Sequence, residues 1–148
     1  MRSICGQLLS SPPLASRAAT PTVSGVPVFH ECQRCTACCR WPGLVRLTDA
    51  EITRLAQFRG VSEHDFIQRF TRLRPDRGGL ALMDKPNGEC VFLEGENCAV
   101  QPVKPQQCRD FPNLWNFPGF EKACCAIPKL VSDEEYRRLV VAATGRVL

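Results

Sequence analysis

The chain has 148 residues, a formal net charge of +4 and 44% hydrophobic residues, which is the composition of one globular domain. It contains no apolar run of about 18 residues, so the sequence predicts no membrane span. Its charge is mild, and the local basic run of Arg69, Arg72, Arg74 and Arg77 is typical of a solvated helix end, so we expect no nucleic-acid partner. The unusual feature is cysteine, at positions 5, 32, 35, 38, 39, 90, 98, 108, 124 and 125.

Residues 1–28 are rich in Ser, Thr, Pro, Ala and Gly and carry no acidic residue, so we expect a disordered N-terminal tail. The apolar run Ile4–Leu9 is short, is interrupted by Gln7 and is followed by prolines, so it does not indicate a secretory signal. We therefore expect a cytoplasmic protein with reduced cysteines, in which metal binding is favoured over disulfides.

Two helices are predicted after the first cysteines. Thr48 and Glu51 have the spacing of a capping box and begin a one-faced apolar pattern that ends near Gly60. Ser62 begins a second helix, which we expect to end at Pro75 because proline cannot continue the hydrogen-bond pattern.

Strand signals are short. Residues 44–47 alternate weakly and predict a short strand. The apolar runs 80–83 and 90–93 flank a Pro-Asn-Gly turn at residues 86–88, which predicts a hairpin because Asn-Gly tolerates positive φ.

The last predicted element is a C-terminal helix, with a capping box at Ser132 and a C-cap at Gly145. The expected fold class is a small, irregular α+β domain with short helices and one hairpin, stabilised by bound metal because its core is thin. We expect three parts: the tail 1–28, a cysteine-cluster metal-binding domain 29–130, and a helix 131–148 packed on it.

Four thiols fall within eight residues, in the pattern Cys32-x-x-Cys35-x-x-Cys38-Cys39. A Cys-x-x-Cys turn brings two sulfurs to one metal, and backbone N–H groups in such a turn can donate to those sulfurs. The side chains of adjacent Cys38 and Cys39 diverge, which favours two neighbouring metals, or one cluster and a separate site.

The later thiols leave the number of centres open. Without Cys5 nine cysteines remain, so two four-thiolate centres leave one spare. We choose Cys124 as the spare because Cys125 leads directly into the next element. A single four-thiolate centre is the alternative, in which some late cysteines pack as small buried hydrophobes.

Spacing also leaves the metal open between zinc and iron. Pro42 stands where a ferredoxin-type run has its fourth cysteine, and the paired spacing of zinc ribbons is absent downstream. His30 precedes Cys32 by two residues and is a candidate ligand, although a loop histidine beside a cluster is more often solvent-facing. His64, at a helix start, is not expected to bind metal.

The cluster at 32–39, the run Cys90-Val91-Phe92-Leu93, Cys98, and the segment 105–112 together resemble the YkgJ-type cysteine-cluster proteins. That family is described as having a zinc- or iron-chelating domain, and some members are labelled iron–sulfur proteins. The similarity extends over about residues 31–128. It implies metal-ligand roles for Cys32, Cys35, Cys38, Cys39, Cys90, Cys98, Cys108 and Cys125.

We therefore expect a protein that binds zinc or iron, in a structural or metal-handling role. The alternatives are an iron–sulfur electron-transfer module and an accessory subunit of an unidentified enzyme. The sequence contains no Ser/His/Asp set, phosphate loop or Gly-rich nucleotide fingerprint. A closed thiolate site also has no open coordination position, so the chain is not expected to be an enzyme.

Overall fold

The structure, a computed structural model, describes residues 22–41 and 43–148. It is a mixed α+β structure of short elements, as predicted. The chain divides into two compact units. The first unit comprises the described residues up to Ala37 together with Arg109–Leu148, and the second comprises Cys38–Cys108. The predicted disorder of residues 1–21 lies outside the described residues.

In chain order the strands are β1 (Thr22–Val23), β2 (Val26–Glu31), β3 (Arg46–Leu47), β4 (Thr71–Leu73), β5 (Leu80–Leu82), β6 (Leu93–Glu94), β7 (Asn97–Cys98) and β8 (Ile127–Leu130). The helices are α1 (Ala37–Arg40), α2 (Asp49–Arg59), α3 (Glu63–Phe70), α4 (Gln106–Asp110), α5 (Phe120–Ala123) and α6 (Asp133–Thr144). A 3₁₀ turn spans Gln101–Val103. None of these helices is both long and apolar enough to cross a membrane.

The first unit is built on an antiparallel sheet in which β2 lies between β1 and β8. The register of β2 with β8 places His30 opposite Pro128 and Glu31 opposite Ile127. Its buried apolar cluster consists of Phe29, Val131, Tyr136 and Val140. Phe111, Phe117 and Phe120 form a second buried group in this unit, in which the Phe111 ring stacks on Phe117 and meets Phe120 edge to face.

The second unit combines a sheet of order β3-β5-β4, the hairpin β6–β7 and helices α2 and α3. Its core is larger and contains three nearly inaccessible side chains, Leu55, Phe66 and Phe92. The rings of Phe66 and Phe92 are stacked with centroids 6.0 Å apart. Apolar burial is therefore the main stabilising term in this unit.

Helix α2 has the predicted capping box. The Glu51 backbone N–H donates to Thr48 Oγ1 at 3.3 Å, and the Thr48 N–H donates to the Glu51 carboxylate at 2.7 Å. The helix ends at Gly60, whose φ of 69° closes the last turn in the left-handed region. The second Glu51 oxygen accepts the Gln106 N–H at 2.7 Å, which connects the helix start to a later segment.

Replacing Thr48 with Ala is expected to lower the free energy of unfolding by about 1 kcal/mol, because one N-terminal N–H of α2 loses its acceptor. Urea unfolding of the metal-loaded protein measures the change. Gln68→Ala on the exposed side of α3 is the control, with an expected change within about 0.5 kcal/mol. Equal stabilities for the two variants would contradict the assigned cap.

Helix α3 ends earlier than predicted. It begins after Ser62 as expected, but it stops at Phe70, and residues 71–73 form β4. Pairing of Thr71 with Leu82 and Leu73 with Leu80 satisfies backbone groups that a last helical turn would otherwise use. Sheet formation therefore ends this helix well before Pro75.

The predicted hairpin has different strand partners. Strand β5 pairs with β3 and β4, and the two predicted runs are connected by the isolated bridge between Asp84 and Cys90. The turn between them has Gly88 at a φ of 84°, as its Asn-Gly sequence indicates. The hairpin of the second unit is β6–β7, which turns at Gly95 and Glu96.

Regular structure begins inside the predicted tail, because β1 starts at Thr22 and Val28 is buried in β2. The C-terminal helix is confirmed. Ser132 accepts the Glu135 N–H at 3.2 Å, and Gly145 ends the helix at a φ of 75°. Helix α6 packs against β2, as Phe29 and Tyr136 meet edge to face with ring centroids 6.5 Å apart.

Candidate metal centre

The described cysteines divide between the two units. Cys32, Cys35, Cys124 and Cys125 belong to the first, and Cys38, Cys39, Cys90, Cys98 and Cys108 belong to the second. The continuous motif at 32–39 is therefore shared, with two of its sulfurs in each unit. Each pair of sulfurs from the motif belongs to a different group of cysteines.

The loop that carries Cys32 and Cys35 has a strained backbone. Arg34 and Thr36 have φ values of 55° and 63°, in the left-handed region that non-glycine residues avoid. For β-branched Thr36 this conformation is especially unfavourable, and such strain is concentrated at functional sites. The turn lets the Arg34 N–H donate to Cys32 Sγ at 3.4 Å, as predicted for a Cys-x-x-Cys turn.

Cys35 and Cys124 are brought together from distant parts of the chain. Their thiols are in hydrogen-bond contact, and the Cys125 backbone N–H donates to Cys35 Sγ at 3.3 Å. These hydrogen bonds, that from Cys124 first, lower the pKa of Cys35 to about 5. The same contact raises the pKa of Cys124, whose S–H is the donor. Cys35 is therefore the better thiolate of the pair.

One local arrangement recurs at several cysteines. The backbone N–H of the residue two positions further on donates to the sulfur of Cys32, Cys35, Cys90 and Cys124. N–H donors to sulfur disperse thiolate charge and orient the sulfur, as outer-shell partners do around bound metals. The sequence predicts this arrangement only for the Cys-x-x-Cys turn, because the other cases depend on how later loops fold.

The second unit gathers its own thiols. Cys39 is in hydrogen-bond contact with Cys38 and Cys98, which raises its pKa. Burial raises the pKa of Cys90 to about 11 and also raises the pKa of Cys108. Both of these thiols are also within electrostatic reach of Cys38 and Cys98. All five sulfurs therefore interact, and Cys38 and Cys98 each interact with Cys39, Cys90 and Cys108.

His30 is not in a solvent-facing loop, contrary to the more common case considered from the sequence. It is a buried residue of β2, and its backbone exchanges hydrogen bonds of 2.7 and 2.9 Å with the Asn113 side chain. Its ring meets Phe120 edge to face at 5.2 Å, and burial lowers its pKa. His64 is exposed, with 81% of its side chain accessible.

The donor set suits a thiophilic metal, although its atoms do not form a closed shell here. Within residues 22–41 and 43–148, no three His, Cys, Asp or Glu side chains converge where a metal ion could sit. Eight described cysteines are free thiols, and Cys125 is disulfide-bonded. Clustered free thiols with N–H donors to sulfur are the ligand chemistry of zinc and iron sites, so these residues fit such a metal.

The structure places the eight sequence-predicted ligands in both groups: Cys32, Cys35 and Cys125 in the first unit, and Cys38, Cys39, Cys90, Cys98 and Cys108 in the second. Their ligand roles stay predictions. Cys124, chosen as the spare from the sequence, contributes the sulfur in contact with Cys35, whereas Cys125 contributes its backbone N–H.

A comparison with known families matches residues 31–126 to the model named "CxxCxxCC: Putative zinc- or iron-chelating domain". No curated protein and no solved structure matches the chain.

Proposed function

The chain belongs to the CxxCxxCC family, and from this premise we propose that it binds zinc or iron at two thiolate centres, one in each unit. The observation that carries the proposal is the division of nine described cysteines into two groups, each of which interacts within its own unit. A tetrahedral metal site takes four protein ligands. Each group of cysteines lies within one unit, so each proposed centre takes its ligands from one unit.

In the first unit the proposal takes Cys32, Cys35 and Cys124 as sulfur ligands. Each accepts a backbone N–H from the residue two positions on, and the Cys35 and Cys124 thiols are already in contact. In the second unit it takes four of the five interacting sulfurs. The remaining thiol is then placed to donate a hydrogen bond to a bound sulfur.

The proposed role of the metals is structural. The cysteine loop of the first unit holds two non-glycine residues at positive φ, a conformation that persists only where surrounding contacts hold it. Metal–thiolate bonds supply contacts that hold such a loop, because metal binding and folding are coupled. All-protein ligation leaves no open position for substrate, which supports a structural role over catalysis.

The test is the metal content of the full chain, purified without oxygen, together with two single variants. We expect about two metal ions per chain, and about one in either Cys35→Ser or Cys98→Ser, because each variant damages a different centre. Cys5→Ser, which changes the cysteine outside the described residues, is the control and is expected to keep both ions.

Each result distinguishes the proposal from its alternatives. Loss of all metal from both single variants would support one shared centre and contradict the division between units. A reduced full chain that binds neither zinc nor iron would overturn metal binding itself. Brown protein with iron and sulfide in similar amounts would assign iron–sulfur clusters and replace the structural role with electron transfer.

A further inference from the structure

The imidazole of His30 has a buried nitrogen without a partner. The residue is only 8% exposed, and its Nδ1 atom has no hydrogen-bond partner among the described residues. Burying an unsatisfied polar atom is costly, and such atoms in native structures point to a missing water, ion or ligand. The backbone of His30 is held on both sides by Asn113, so the residue is fixed in place.

The strand register brings the chain segments of two thiols to this imidazole. His30 lies opposite Pro128, Cys32 follows the last residue of β2, and Cys124 precedes β8 by three residues. Cys124 has extended backbone angles, φ −93° and ψ 133°.

A direct contact chain leads to the same neighbourhood. The His30 ring packs edge to face on Phe120, and the Phe120 carbonyl accepts the Cys124 N–H at 2.7 Å. Cys124 in turn meets Cys35 through its thiol. His30 is therefore linked to Cys124, one member of the thiol pair, through Phe120.

We propose that His30 Nδ1 is the fourth ligand of the first-unit centre, which is then a Cys₃His site with Cys32, Cys35 and Cys124. Three sulfurs of this unit have the N–H···S arrangement, and a tetrahedral site needs one further donor. The four side chains do not converge in the described structure, so binding has to rotate them about their χ angles. This inference rests on the metal-binding function proposed above.

X-ray absorption at the zinc edge tests the assignment on the full, reduced chain loaded with zinc. We expect zinc–sulfur scattering at about 2.3 Å together with a zinc–nitrogen component at about 2.0–2.1 Å. His30→Phe, which keeps an aromatic ring against Phe120, is expected to lose the nitrogen component. It should also weaken one zinc site by more than about 100-fold, since loss of an outer-shell partner alone costs about 10–100-fold.

The matched control is His64→Phe, because His64 is the only other histidine in the chain and is exposed. It is expected to keep the nitrogen component. His30→Cys is expected to bind the same amount of zinc with an all-sulfur shell.

An all-sulfur shell in the zinc-loaded wild-type protein would overturn the role of His30 and leave the proposed function intact. A nitrogen signal that persists in His30→Phe would do the same. Absence of bound zinc would overturn both. Should His30→Phe not fold, the wild-type spectrum and the His64→Phe spectrum together decide the question, since these are the chain's two histidines.

Discussion

Cys124→Ser is expected to release one metal ion per chain, whereas Cys125→Ser leaves the metal content unchanged. The two residues are adjacent but differ in what they offer to Cys35. Cys124 provides a sulfur in contact with the Cys35 thiol, and Cys125 provides a backbone N–H that serine retains.

The stability of the two variants should differ as strongly as their metal content. Structural zinc contributes about 10–16 kcal/mol in small metal-dependent domains, so loss of one ligand is expected to cost about 5 kcal/mol or more in the first unit. Metal analysis and thermal unfolding measure both effects on matched samples that are anaerobic and reduced, so that the Cys125 disulfide does not contribute to the comparison. Retention of both ions by Cys124→Ser, with loss from Cys125→Ser, would reverse the assignment of the ligand.

Phe66→Ala is expected to destabilise the second unit by about 3–5 kcal/mol, because a fully buried ring leaves a cavity among well-packed neighbours. Phe66 stacks on Phe92 and lies 5.3 Å from Phe70, measured between ring centroids. The Phe92 N–H donates to Cys90 Sγ, so disorder around Phe92 is expected to reach the second thiol group as well.

Denaturant unfolding of the zinc-saturated protein measures this effect, with zinc release followed in the same titration. The control is Phe58→Ala on α2, whose side chain is 46% exposed and for which we expect a change below about 1 kcal/mol. Equal losses for the two variants would show that the Phe66 ring does not anchor the core. If Phe66→Ala unfolds at a lower denaturant concentration but releases zinc at the same concentration as the wild-type protein, zinc binding by the second thiol group does not depend on this core.

Local signals in the sequence predicted the starts of the three longest helices, α2, α3 and α6, but not the short helices α1, α4 and α5. The capping residues Thr48, Ser62 and Ser132 each begin a helix because the side-chain oxygen and the N–H that it accepts lie within one turn. The end of α3 and the partners of β5 were not predictable in this way. Both depend on sheet pairing between segments separated along the chain, which local patterns do not encode.

The same holds for the candidate metal site: its local turn was predictable from the sequence, whereas its contacts between distant segments were not. Spacing within 32–39 predicts a metal-binding turn, and its N–H···S hydrogen bond is present. Spacing could not predict that Cys35 and Cys38 belong to different units, because this depends on how β8 and the second unit fold. The burial of His30 could not be predicted from local patterns either, because it follows from the pairing of β2 with a strand almost 100 residues later.

The division of one short motif between two units has a consequence for the order of events during protein synthesis. Cys35 meets the segment around Cys124 and Cys125 across a separation of 90 residues, whereas the thiols of the second unit are complete once Cys108 has been made. The thiols of the second unit can therefore come together on a nascent chain before Cys124, the partner of Cys35, has been synthesised. A peptide limited to residues 31–41 would reproduce neither group, because each is completed by sulfurs that emerge from the ribosome much later.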